Sequence, residues 1–302
     1  MTPFSVFALL FVLCALGRVL AKCRVVPDGA AATLNAVALY VCLPASIALN
    51  APKLALDRSL VSLVALPWFL LTLVVISVTV LSRVLRFDAA TRACLLLLVP
   101  LGNTSFLGYS LVPALAGPGA LKYAVVYDQF GSFLMLSTFG LVTIASMSGT
   151  QRPSAGTMAW RVLQFPPFVA LVLALTVVPA QLPPAVESAL ALVAAALLPL
   201  VSLALGMQVE LALPRAHRAP LALAVALKLL AMPAAALAFC TLFHITGEMR
   251  AAAVLESAMP SMITAAALLA MAGISPRLAA AIVGYGTLLS AATLPLWRLA
   301  LQ

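Results

Sequence analysis

The sequence predicts an all-α polytopic membrane protein of ten transmembrane helices, arranged as two inverted five-helix repeats. Three observations carry the prediction. The 302 residues are 65% hydrophobic and 8% charged, with a mean hydropathy of +1.18. Ten apolar runs approach the roughly 20 residues that a span requires. Short signatures recur at an offset of about half the chain. An ordinary soluble domain is about 45–50% apolar and about 25% charged, and so few charges cannot cover so much apolar surface. The composition also excludes a disordered chain and a secreted disulfide scaffold. The runs are continuous Leu, Ala and Val without alternation, which argues against a transmembrane barrel.

The runs fall at 3–20, 30–50, 60–82, 92–114, 121–147, 162–181, 184–207, 219–243, 250–272 and 278–300. No basic residue precedes the first, and it ends in Arg18 and Lys22, so it reads as a retained span rather than a signal peptide. Lys22 also stands where a lipoprotein cleavage site needs a small residue before Cys23. Spans two and seven carry kinks at Pro44 and Pro199. The loops are short, leaving no room for a soluble domain. A polar segment at 148–161 is the expected cytoplasmic linker, so the halves are 1–147 and 162–302. The cysteines Cys14, Cys23, Cys42, Cys94 and Cys240 show no metal spacing and read as small core residues.

The net charge of +9 is spread through the loops, a pattern of topology rather than of nucleic-acid binding. Odd-numbered loops hold eleven Lys and Arg: Arg18, Lys22, Arg24, Arg83, Arg86, Arg92, Arg152, Arg161, Arg215, Arg218 and Arg277. The other side holds five: Lys53, Arg58, Lys122, Arg250 and Arg298. The positive-inside rule therefore places both termini outside the cytoplasm. The halves match each other at Leu43-Pro44 with Leu198-Pro199, Arg92 with Arg250, Pro100 with Pro260, Gly117 with Gly273 and Tyr127 with Tyr285, at offsets of 155 to 160 residues. Five spans per repeat is odd, so the second repeat enters the membrane from the opposite side, a frequent plan among secondary transporters.

Spans four and nine are interrupted at matching positions. Span four reads Pro100-Leu101-Gly102-Asn103-Thr104-Ser105 before Phe106-Leu107-Gly108, and span nine reads Glu256-Ser257-Ala258-Met259-Pro260-Ser261 before Thr264. Proline removes a backbone donor and glycine weakens a helix. Backbone groups freed in lipid must face protein or a watered cavity. Either proline alone reads as a kink. The pair reads as two broken helices crossing near the midplane, with half-helix N-termini turned toward an anion.

Three ionisable residues lie within spans. A buried acid such as Asp128 is expensive in a membrane. It reads equally as a proton or cation carrier and as a structural acid bonded to hydroxyls or to a basic partner. Glu256, one turn before Pro260, either titrates with transport or sits near the membrane surface. Lys228 favours pairing with Asp128 or Glu256, or snorkelling to an interface, over attracting a carboxylate. His217 and His244 fall in loops, and Trp68, Trp160 and Trp297 fit interface anchors. There is no His-Glu-x-x-His, no Gly-x-Ser-x-Gly, no phosphate loop and no Cys/His cluster. Neither an enzyme, a catalytic residue nor a metal site is expected.

At these residues the chain resembles a known family. Gly102-Asn103-Thr104-Ser105-Phe106-Leu107-Gly108 and Tyr127-Asp128-Gln129 look like the fourth and fifth spans of the auxin efflux carrier family. Ala258-Met259-Pro260-Ser261 and Thr287-Leu288-Leu289-Ser290 through Thr293-Leu294-Pro295-Leu296 resemble its ninth and tenth. The family includes bacterial carriers of malonate and similar acids and the plant PIN auxin carriers. The resemblance implies the fold of the bile-acid/sodium symporter and sodium/proton antiporter superfamily. Spans one, two, six and seven would be a scaffold, and spans three to five and eight to ten a transport domain that moves as an elevator. The chain departs from the family's pattern at Ser105, Ser110 and Ser261, which leaves the substrate open.

The expected function is secondary transport of a small organic anion, a mono- or dicarboxylate, across the plasma membrane (the inner membrane of a bacterium). Pro100, Gly102, Asn103, Thr104, Ser105, Pro260, Ser261 and Thr264 would form the substrate site. Asp128, Glu256 and Lys228 are the candidates for coupling to a proton or a sodium ion, with no other cofactor. The alternatives are an ion-coupled carrier of another solute, such as an amino acid or bile-acid-like compound, and a non-transporting sensor that keeps the carrier fold. The expected partners are the solute and lipid, and a homodimer is compatible with the Ala- and Leu-rich scaffold spans.

Overall fold

The computed structural model describes residues 3–53, 59–148, 154, 156–157, 160, 163–164, 166–208 and 215–301. Among these residues every regular element is helical. In chain order the helices are α1 (Pro3–Lys22), α2 (Ala30–Leu49), α3 (Ser59–Val84), α4 (Ala89–Leu98), α5 (Thr104–Ala116) and α6 (Pro118–Met147). They continue as α7 (Pro166–Thr176), α8 (Pro184–Gln208), α9 (Arg215–Leu242), α10 (Gly247–Ser257), α11 (Ile263–Met271) and α12 (Pro276–Ala300). By length and composition six of them, α2, α3, α6, α8, α9 and α12, are able to cross a membrane. The predicted linker 148–161 lies mostly outside the described residues, as do the start of the predicted sixth span and Arg58, Arg152 and Arg161.

Local chemistry sets the helix ends. Asp88 caps α4 by accepting the backbone N–H of Thr91 at 2.6 Å, which satisfies one of the four orphan donors of the first turn. Pro118, Pro184 and Pro276 open α6, α8 and α12, where a missing N–H costs nothing. Gly117 (φ +101°) and Gly273 (φ +70°) turn the chain after α5 and α11. A side chain is strained in that region of backbone space, which gives a physical reason for this matched pair in the two halves.

Two apolar cores organise the helices. One gathers Leu63, Leu66 and Val78 of α3, Leu95 and Leu98 of α4, Leu269 of α11 and Leu278 of α12. The other gathers Leu10 of α1, Ile47 of α2, Leu111 of α5, Leu171 of α7 and Val201 of α8. The interruptions sit where the cores meet: Leu101 and Met262 belong to the first, Leu107 and Met259 to the second. α1 lies along α8. A Cβ on Gly17 would overlap the Leu203 carbonyl, and one on Gly206 the Cys14 carbonyl, so both glycines permit the close approach.

Candidate functional site

The chain between α4 and α5 and the chain between α10 and α11 run against each other. Gly102 and Ser261 form an antiparallel bridge. The Asn103 N–H donates to the Pro260 carbonyl at 2.7 Å, and the Met262 N–H donates to the Leu101 carbonyl at 2.9 Å. Ser261 Oγ donates to the Leu98 carbonyl at 2.6 Å. Groups freed by one interruption are thus satisfied by the other, as a chain break inside an apolar medium requires.

The helix after the first interruption opens with a widened, π-type turn at Thr104–Gly108, in which the Asn103 carbonyl accepts from both Leu107 and Gly108 at 3.2 Å. Four further turns of this kind occur among the described residues: Ala38–Cys42 in α2 and Leu136–Gly140 in α6, and two that hold ionisable groups, Asp128–Phe133 beginning at Asp128 in α6 and Leu227–Ala231 holding Lys228 in α9. Turns of this kind are rare and frequent at functional sites. Each of the latter two has a carbonyl occupied by an indole: Trp68 Nε1 donates to Phe130 O at 2.9 Å, and Trp297 Nε1 to Leu229 O at 2.8 Å. These two tryptophans are therefore tied to the widened turns. Trp160 is exposed.

Asp128 is fully buried and accepts four hydrogen bonds. Thr104 Oγ1 donates at 2.5 Å, Ser105 Oγ at 2.7 Å, Tyr109 Oη at 3.0 Å and Gln129 Nε2 at 2.8 Å. Of the two readings of this acid, the bonding to hydroxyls is present. Lys228 is 2% exposed, and among the described residues its hydrogen-bond partner is Met232 Sδ at 3.8 Å. A Cβ on Gly102 would stand 3.1 Å from Lys228 Nζ and 3.5 Å from the backbone carbonyl of Glu256, so the bare glycine admits both. Glu256 is 0% exposed, and neither carboxylate oxygen has a partner among the described residues. Its carboxylate lies against Gly108, where a Cβ would overlap both oxygens. Asn103 Nδ2 and Gln129 Oε1 are likewise buried and without a partner among the described residues.

The structure therefore brings Pro100, Gly102, Asn103, Thr104, Ser105, Pro260 and Ser261 together with Asp128, Glu256 and Lys228. Thr264 is on an exposed position of the first turn of α11. Glu256 is in the protein interior, which removes its surface alternative, and burial of Lys228 removes snorkelling. Sequence reasoning passed over Tyr109 and Gln129 as site residues. Gln129 adjoins Asp128, a usable signal. Tyr109 had none, because an ordinary helical period does not describe the widened turn before it. A cavity of about 400 Å³ opens between α8, α11 and α12, lined among others by Gln208, Ile263, Ala266 and Arg277.

Long apolar helices surrounding buried ionisable groups at paired chain breaks define a multi-pass integral membrane protein with an internal polar site. Comparison with known proteins gives its function class. The membrane transport protein family is matched over residues 4–298, and the chain belongs to that family, the auxin efflux carriers. It is 28% identical over 294 residues to an uncharacterized transporter of Methanothermobacter thermautotrophicus, covering 96% of this chain and 95% of that one. It is 24% identical over 310 residues to an uncharacterized transporter of Methanocaldococcus jannaschii, covering 98% of each.

Proposed function

We propose that the chain is a secondary transporter that moves a small organic anion, a mono- or dicarboxylate of malonate's kind, by an elevator-type alternating-access cycle. The observation that carries this reading is the contact between the two interruptions, which gathers unpartnered polar groups next to a buried cation. Lys228 and the free Asn103 Nδ2 are donors suited to a carboxylate. The N-terminal ends of α5 and α11 add positive dipole character to the same place. The interruptions would belong to spans four and nine of a ten-span inverted repeat, crossing near the midplane.

In this reading α1, α2, α7 and α8 form the scaffold, and their mutual packing supports it. The remaining helices carry the site past them. Both termini face away from the cytoplasm in the plasma membrane, and the scaffold mediates a homodimer. The cavity holding Arg277 would be a cytoplasmic vestibule, because Arg277 belongs to the charge-rich loop side. Three buried ionisable groups favour coupling to an ion, so a second reading is an ion-coupled carrier of a different solute.

The test is a thermal-shift panel on the purified protein with malonate, malate, lactate, indole acetate, amino acids and bile acids, with and without sodium. A solute at about 100 times its dissociation constant stabilises the folded state by about 2.7 kcal/mol. One carboxylate should raise Tm in the wild type and leave Asn103→Ala unchanged. A panel in which only sodium or a neutral solute shifts Tm would overturn the organic-anion assignment.

A further inference from the structure

The three buried ionisable groups are held in unequal ways. Asp128 receives four hydrogen bonds between 2.5 and 3.0 Å, all from neutral donors on α5 and α6. An ionised carboxylate offers about four acceptor sites and no donor. These four contacts therefore suit a permanent anion, and protonation would force a donor to turn away. Glu256 is the opposite case. It is as deeply buried, yet both of its oxygens lack a partner among the described residues and pack on Gly108. A charged carboxylate left that way costs several kcal/mol in an apolar interior, whereas the neutral acid carries far less of that penalty. Lys228 is equally loosely held, with a thioether, a weak acceptor, as its partner.

The charged and titratable groups around Glu256 are few. α6 holds Asp128 and Tyr127, with Tyr123 and Lys122 nearer its start, α5 holds Tyr109, and α9 holds Lys228. On its own helix Glu248 and Arg250 lie two turns away, with Cys240 of α9 beside Arg250. α12 holds Tyr285 in its middle and Arg277 and Arg298 at its ends, and α3 holds Arg83 in its last turn. Lys228 is the buried cation among these, and its Nζ lies beside Gly102, where the Glu256 backbone carbonyl also lies. Its ammonium also works against a sodium ion at the same carboxylate.

We propose that Glu256 is the group that takes up and releases a proton in the transport cycle, with Lys228 as its counter-charge. Asp128 is a positioning residue that keeps the first interruption in shape. This rests on the transporter reading above and assigns its coupling ion and coupling residue. When the Glu256 carboxyl gives its proton to water on the open side, the carboxylate left behind is neutralised by Lys228. When Glu256 is protonated, Lys228 is free for the carboxylate of the solute. One ammonium cannot serve both, so proton binding and anion binding favour each other, and by linkage the effect is reciprocal.

The experiment needs no solute. Infrared difference spectra of the purified protein between acid and alkaline buffer report the C=O stretch of a buried protonated carboxyl. The wild type should show that band, Glu256→Gln should lose it, and Asp128→Asn should keep it. In Lys228→Met the band should persist into more alkaline buffer, which a purely structural Glu256 would not cause. Should Asp128→Asn fail to fold, the Glu256→Gln and Lys228→Met spectra decide the matter. A band that survives Glu256→Gln, or one whose pH range Lys228→Met leaves unchanged, would overturn the proposal. Failure of every solute in the thermal-shift panel would instead strike the transport reading, and the two failures are distinguishable.

Discussion

Asp88 accepts the Thr91 backbone N–H at 2.6 Å where α4 begins, and this bond holds its carboxyl below the ordinary aspartate range. The hydroxyl of Thr91 and the distant His217 act in the same direction, against a small penalty from burial. Asp88→Ala should therefore cost about 1 kcal/mol, the usual worth of such a cap, read as a lower Tm in neutral buffer. The folded carboxyl ionises more readily than the unfolded one. Its contribution is complete above the ordinary aspartate range and fades as pH falls through the lowered value. Wild type and variant should converge in strongly acid buffer. The importance of Asp128 could be read from the sequence, since an acid inside a span is costly wherever it lies. The difference between Asp128 and Glu256 was not legible there. It depends on which donors surround each carboxylate: for Asp128 three come from residues 19 to 24 positions away and one from its neighbour Gln129, and for Glu256 there are none among the described residues.

Among the elements, the two interruptions were legible because proline and glycine act locally. Pro100, Gly102 and Pro260 disfavour a continuous helix whatever surrounds them. Their pairing was not legible, since nothing in either segment specifies that the other will supply its hydrogen-bond partners. Ser261→Ala tests the pairing. It removes the 2.6 Å bond to the Leu98 carbonyl and leaves that buried acceptor short of a partner. A loss of about 1–3 kcal/mol is expected, measured by thermal or denaturant unfolding in detergent, and a loss near zero would mean that the two segments do not need each other. The widened turns at Thr104–Gly108, Asp128–Phe133 and Leu227–Ala231 escaped sequence reasoning for a related reason. A helical pattern is recognised by its 3.6-residue period, and one extra residue in a turn changes side-chain direction without changing composition.

At the scale of the molecule, α1 and α8 illustrate how a small residue sets the distance between helices. In lipid, apolar side chains gain little by leaving their surroundings, so close backbone approach supplies much of the association. Gly206→Ala would drive a Cβ into the Cys14 carbonyl. It should destabilise the fold by about 1–3 kcal/mol, as overpacking does. It should also lower the yield of folded protein in a size-exclusion profile. An unchanged Tm would show that α1 and α8 are free to separate. Membrane class, helical character, the approximate placing of the apolar runs and the sites of interruption all follow from composition and local backbone chemistry, which act over one or two turns. The burial of Glu256 and Lys228, the exposed position of Thr264, the binding of Trp68 and Trp297 to the widened turns and the meeting of Gly102 with Ser261 arise only when distant segments pack. Local preferences end within a few residues, whereas a buried polar group takes its character from whichever neighbours the folded chain places around it.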